Sequence, residues 1–331
     1  MIDTIYIEAA VADHPRTLAI TARYPKARVI ECERHQALFN QRQQNFRIQK
    51  SRPALILAKK SGTFLHPVPE GQHLGAEHNY YFSHLLNCPF DCRYCFLQGM
   101  FASANYVLFV NYEDFVTAIA DVCATHRGPV HLFSGYDCDS LALEPLTKFA
   151  AHFVAAVSTI DNAVLELRTK STQIRSLLAI EPHPHCVVAM SLAPETIATN
   201  LEHGTPSLNE RLGALRRLQD HGWSIGLRFD PIIPIDNATT VYKDFFDHVF
   251  AEINGGALHS ITLGGFRLPK AFARRMAGLY PDEPLFAGPQ IEIDGTLIFR
   301  DDGANDTLAV ARAELARCVD EDKILTQHIS P

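Results

Sequence analysis

The chain has 331 residues, 47% of them hydrophobic, and a formal charge of −7. That length accommodates one large α/β domain or two ordinary ones, and no apolar run approaches the ~20 residues needed to cross a bilayer. The acidic balance excludes a global basic field for nucleic acid, and an N-terminus without a charged-then-apolar leader pattern points to a cytoplasmic protein.

In chain order, TIYIEAAV alternates as a strand, residues 14–24 read as a helix and ARVIEC alternates again. These predict a small N-terminal αβ layer. From His35 to Pro69 there is no Asp or Glu, while Arg42, Arg47, Lys50, Arg52, Lys59 and Lys60 fall there. The stretch reads as a local phosphate-facing surface or as a solvated face beside acidic neighbours. Within it, NQRQQNFRIQKSRP is irregular or a short helix.

From about residue 78 the pattern becomes apolar strands separated by helices. The strands fall at 80–86, 130–136, 163–170, 186–192, 224–233 and 257–266. Between them lie helical segments such as NYEDFVTAIADVCATH, EPLTKFAAHFVAAV and SLNERLGALRRLQDHG. The last opens with a Ser207/Glu210 capping box and stops at Gly222. Six strand–helix alternations predict an α/β fold, a partial (β/α)6 TIM-type barrel of parallel strands. QIEIDGTLIFRDDG predicts a C-terminal β-hairpin turning at Asp294-Gly295. The expected divisions are 1–75, an αβ extension with the basic segment; 76–290, the barrel; and 291–331, hairpin and helix.

Of the eight cysteines, Cys32, Cys123, Cys186 and Cys318 are spread thinly and suggest no disulfide framework. Cys88, Cys92 and Cys95 fall instead within LLNCPFDCRYCFLQG, in a C-x3-C-x2-C spacing after the first barrel strand. Sites in such folds gather at the C-terminal ends of strands. Thiolates favour zinc or iron–sulfur clusters. Three of them on a four-iron cubane leave one iron open to a small molecule, as a catalytic metal keeps one position free. Two other readings are a zinc site completed from afar, for example by His84, and three reduced core thiols. His183 and His185 in EPHPHC sit in a proline-braced turn. No Walker loop, G-x-G-x-x-G or G-x-S-x-G occurs.

C-x3-C-x2-C followed by an aromatic resembles the radical S-adenosylmethionine (radical SAM) superfamily. NCPFDCRYCFLQ, GYDCDSLALEPLT, RTKS, NLEHGTPSLNERLGALRRLQDHGWSIGLRFDPIIP and LGGFRLPKAFARRMAGLYP are similar, in order, to the spore photoproduct lyase-like family. The resemblance implies a [4Fe-4S] cluster on Cys88, Cys92 and Cys95, with S-adenosyl-L-methionine (SAM) on the open iron. Reductive cleavage of SAM would then give a 5′-deoxyadenosyl radical that abstracts hydrogen from a lesion such as a thymine photoproduct, making the chain a DNA-repair lyase. It implies Phe96 near the adenine, Ser134 and Gly135 beside the methionine amine, and Lys170 and Ser191 at its carboxylate. Asp139 matches a family aspartate. Arg267 and Lys270, after the sixth strand in GGFRLPK, stand where phosphate contacts would fit. A DNA substrate and an electron donor such as flavodoxin or ferredoxin follow as partners.

The chain departs from the family at the hydrogen-donor position. The donor cysteine aligns with Tyr136, and Cys138 lies two residues on. Residues i and i+2 face one side only while the chain stays extended. Of the two family relay tyrosines in the cluster loop, Tyr94 fits one and Phe96 replaces the other. Tyr94, Tyr136 and Cys138 are therefore the catalytic candidates. Other nucleotides, a peptide or a small molecule remain open as substrates. A non-catalytic iron–sulfur electron-transfer or sensing protein is the competing class.

Overall fold

The computed structural model describes residues 2–41, 44–69, 76–301 and 306–326; Arg42 of the basic stretch lies outside the described residues. Six parallel strands form a curled half-barrel in chain order: β1 (His78–Phe82), β2 (Val130–Ser134), β3 (Ala163–Thr169), β4 (Cys186–Ser191), β5 (Ser224–Ile232) and β6 (Leu258–Gly265). Each pairs with the next. All six residues of β4 are buried, because a parallel strand between two others is covered on both faces. The intervening helices pack outside. Leu208–His221 carries the predicted reciprocal capping box and ends at Gly222, whose φ of 99° suits glycine. Two short strands extend the sheet: Ile324–Thr326 runs parallel to β6, and His66–Pro67 antiparallel to β1.

A second sheet, in the order Arg28–Cys32, Thr4–Glu8, Leu55–Ala58, Tyr106–Phe109, Leu85–Leu86, forms the N-terminal layer. Leu55–Ala58 and Tyr106–Phe109 were not predicted as strands. Every residue in both is buried, so neither shows alternation, and the second comes from beyond residue 75. The predicted strand 80–86 divides. His78–Phe82 stays in the barrel, while Leu85–Leu86 crosses to pair with Tyr106–Phe109. The cysteine loop thus leaves from a point where the chain changes sheets.

Phe46–Ser51 is a short helix capped by the Asn45 side chain. The C-terminal hairpin pairs Gln290–Ile293 with Thr296–Phe299. Asp294 and Gly295 both have positive φ at its turn, as a two-residue hairpin loop requires. Among the described residues no helix is long and apolar enough to cross a membrane.

Candidate cluster and cofactor site

The loop from Asn87 to Gly99 is held by partners from four regions. Asn87, in a left-handed conformation, donates its side-chain amide to Ser103 O and Asn105 O at 2.7 Å each. Lys50 Nζ donates to Cys88 O at 2.6 Å and Phe90 O at 2.7 Å. Asp91–Cys92 pairs antiparallel with Glu202–His203, and Arg93 N donates to Leu201 O. The Asp91 carboxylate accepts from Arg93, Arg47 and the Tyr280 hydroxyl. Gln98 Nε2 donates to Cys92 O at 2.7 Å. Gly99 closes the loop against helix Lys270–Leu279, where a Cβ would come within 2.5–2.8 Å of Phe272. No larger residue fits there.

All three thiols are free of disulfides. Burial, above all, pushes each above its ordinary range; Cys88 also feels Cys92 and Cys95, and Cys92 feels Cys95. Each sulfur thus raises the cost of ionising a neighbour, and a cationic iron core beside them would relieve that cost. Among the described residues no three His, Cys, Asp or Glu side chains converge where a single metal ion could sit. Thiolates that each bind a different iron of one cluster must stand further apart than ligands of one ion. His84, the remote zinc candidate, lies flat on Phe149 with centroids 3.5 Å apart, and burial lowers its pKa to about 3. The donor set fits a cluster on Cys88, Cys92 and Cys95.

Around this loop stand the ends of β2, β3 and β4. Asp139 now has a structural role. Its carboxylate accepts from Leu141 N, Ala142 N, Thr169 Oγ1 and Lys170 N, at 2.6–3.0 Å, and so locks the tip of β3. The Lys170 ammonium projects over the Tyr94 ring, 5.4 Å from its centroid, and lies 3.9 Å from Glu202 Oε1. Ser191 is buried and its carbonyl accepts from Arg211 Nη1 at 3.1 Å. The Ser134 hydroxyl contacts Ser140 Oγ at 2.9 Å and donates to Glu166 O at 2.8 Å, so this side chain fixes the strand end. Gly135 has φ 85°, and a Cβ on it would meet Ser140 Oγ at 2.6 Å.

Glu202 went unnoticed in the sequence. It is buried, and its carboxylate accepts from the Tyr94 hydroxyl and the fully buried Arg211. Burial first and then Glu202 push the Tyr94 phenol well up, so its proton stays on oxygen. Glu202 thus ties the cluster loop, the Lys170 ammonium and helix Leu208–His221 together. No spacing rule could have found it, because its partners meet only through a two-residue antiparallel pairing. Glu202→Gln keeps the shape but loses the charge facing Arg211. A loss of about 1–3 kcal/mol is expected, read from denaturant midpoints, together with a lower iron load per chain.

β2 ends at Ser134 and the chain turns at Gly135, so the backbone does not stay extended. Tyr136 and Cys138 therefore part company. The Tyr136 ring stacks on Tyr81 with centroids 4.2 Å apart at 24°, and lies 5.5 Å from the ring of Phe96. Tyr81 stacks in turn on His66 at 5.3 Å. Cys138 is 6% exposed, and burial, then Asp139 and Cys88, raise its thiol well above the ordinary range. Of the two phosphate-contact candidates, Arg267 donates to Gly265 O and pairs with Asp230, and Lys270 pairs with Glu292. The basic stretch is largely engaged within the protein: Arg47 with Asp91 and Tyr280, Lys50 with the cysteine loop, and Arg52 with Asp3. His183 accepts from His185 N in a tight turn.

The chain is 25% identical over 203 residues to the spore photoproduct lyases of Geobacillus sp. (strain Y412MC61) and Bacillus subtilis (strain 168). Each match covers 60% of this chain and 59% of the relative, so the chain spans less than two thirds of the length of these curated proteins. Solved structures align over 100% of this chain and 99% of theirs. A spore photoproduct lyase variant with bound AdoMet and dinucleoside spore photoproduct gives a TM-score of 0.84 at 17% identity, and a spore photoproduct lyase complexed with dinucleoside spore photoproduct gives 0.83 at 17%. At such identity the likeness is one of fold. The family model for spore photoproduct lyase matches residues 2–285, nearly the whole half-barrel with its N-terminal layer, and the chain belongs to the spore photoproduct lyase family.

Proposed function

We propose that this chain is a cytoplasmic radical SAM lyase that repairs a nucleic-acid lesion of the thymine photoproduct type in DNA. The observation that carries the reading is the set of three disulfide-free cysteines on one short loop, braced by Lys50, Glu202 and Gln98. Bound there, a reduced four-iron cluster would supply the electron that cleaves SAM to a 5′-deoxyadenosyl radical. Lys170 and Ser191 would hold the SAM carboxylate, Lys170 already poised by Asp139 at its backbone and Glu202 near its ammonium. Ser134 and Gly135, at the end of β2, would stand beside the amine end, and Phe96 would line the adenine side. Flavodoxin or ferredoxin would serve as electron donor.

The residue that closes the reaction in this reading is Tyr136. Burial, then Tyr81 and Asp137, raise its pKa to about 12, so the phenol keeps its O–H at neutral pH. That hydrogen atom passes to the product carbon radical: the O–H bond breaks, a C–H bond forms, and a phenoxyl radical remains on a ring stacked with Tyr81. Tyr136→Phe is expected to leave SAM cleavage intact while repaired product per SAM cleaved falls about 10–100-fold. Cys138→Ala should leave that ratio unchanged. The reverse pattern would transfer the donor role to Cys138.

Anaerobic reconstitution with iron and sulfide, followed by SAM, dithionite and a dinucleoside photoproduct, tests the function. Repaired dinucleoside together with deuterium transfer into 5′-deoxyadenosine is the expected result. Cleavage of SAM without repair would assign the chemistry to another nucleotide, a peptide or a small molecule. A cluster that never cleaves SAM would leave an electron-transfer or sensing protein.

A further inference from the structure

A cavity of about 730 Å³ lies at the carboxyl ends of the N-terminal sheet, and no residue of the cysteine loop lines it. Its position follows from topology. After Thr4–Glu8 the chain passes through helix Pro15–Ala22 to Arg28–Cys32 on one side, whereas Leu55–Ala58 pairs on the other. Connections that leave two adjacent parallel strands in opposite directions open a crevice outside their carboxyl ends, the usual ligand position in open α/β sheets. Ala10 and Val11 follow the first of these strands, Lys59 the second, and Asn111 follows Tyr106–Phe109; Leu146, Thr147 and Lys148 form the far wall. The strand ends are rigid. Glu8, buried, accepts from His35 N at 2.6 Å and Lys59 N at 2.8 Å.

Charge around the crevice is unbalanced. Glu113 is matched by Arg16 at 2.9 Å, and Asp114 accepts from Asn111 Nδ2 at 2.7 Å. Arg23 donates to the Pro145 carbonyl. Arg23, Lys59 and Lys148 form no ion pair with a carboxylate among the described residues. With Glu113 paired to Arg16, three cations face the single carboxylate Asp114 around a cavity lined by Ala10, Val11, Ile20 and Leu146, and the rim is positive on balance. Its volume lies within the ~300–1,000 Å³ of small-molecule sites.

We propose that this crevice binds a free mononucleotide, its phosphate on Lys59, Lys148 and Arg23 and its apolar face on Val11 and Leu146. One phosphate is favoured over a nucleic-acid strand, because the excess of cations is small and Asp114 on the same rim repels an extended polyanion. The site is independent of the radical chemistry and stands or falls without it. Calorimetric titration of the full chain with AMP and with thymidine 5′-monophosphate tests it, beside the Lys59→Glu/Lys148→Glu variant. Both substitutions sit at exposed positions and should leave the melting temperature and iron load unchanged. Saturable one-site binding by the intact chain, weakened at least ~10-fold in the variant, is the expected result. No binding, equal binding by the variant, or binding of an oligothymidylate but of neither nucleotide would overturn the proposal.

Discussion

Cys92→Ala should yield a colourless protein that holds almost no iron and cleaves no SAM. In the proposed site each of the three thiolates would bind a different iron, so loss of one would leave two irons of the four without a protein ligand where one would be open by design. Cys92 is the member whose backbone is fixed by Glu202 and whose carbonyl is held by Gln98, so it anchors the loop. Its side chain is small and 6% exposed, and its removal leaves only a small void. The variant should therefore fold, which far-ultraviolet circular dichroism and melting check. Cys186→Ala is the control. Cys186 is 1% exposed, starts β4 and belongs to the apolar core, so that variant should keep its iron and visible absorption. Full iron in Cys92→Ala, or loss of iron in Cys186→Ala, would contradict the assigned ligand set.

The cysteine loop was legible because its members are local: three thiols within eight positions announce themselves at any level of folding. The barrel was legible for a related reason, since each strand and its helix are consecutive. What escaped depends on distant pairing. Leu55–Ala58 and Tyr106–Phe109 are four-residue strands without a polar face, and only the neighbouring sheet makes them strands. Charge left two readings open in the basic stretch. Read along the chain, Arg47 and Lys50 suit a phosphate-facing surface or a solvated face beside acidic neighbours. In the fold they meet Asp91 and two loop carbonyls, so their charge is spent inside the protein. Tyr136 and Cys138 show the same limit. A two-residue spacing says that side chains share a face only while the strand lasts, and it stops at Ser134.

Replacing Glu166 by Ala should destabilise the fold by about 3–5 kcal/mol, because it strands a buried cation. Glu166, on β3, accepts from Arg228 Nη2 at 2.6 Å and from Arg228 Nε at 3.2 Å; Arg168 Nε adds a bond at 3.1 Å. Arg228 is fully buried, and room for its guanidinium exists only because residue 226 is glycine: a Cβ there would sit 2.7 Å from Nη2. Burial by itself would raise the Glu166 carboxyl; Arg228 and then Arg168 outweigh it and hold the pKa at about 2. The group is therefore depressed below its unfolded value of about 4.3. Its contribution is present in full above that value and is lost as pH falls through about 2. Denaturant melts of the wild type should thus lose stability steeply between pH 5 and pH 2. Those of Glu166→Ala should start lower and fall less over the same window. The double variant Glu166→Met/Arg228→Met should restore much of the loss, since an apolar pair of similar volume leaves no charge unpaired. The consequence reaches the site, because β3 runs from this ion pair to Lys170. A register held at Glu166 by Arg228 is what delivers the lysine ammonium to Glu202 and the cysteine loop. In Glu166→Ala at neutral pH, affinity for SAM should fall before the protein unfolds.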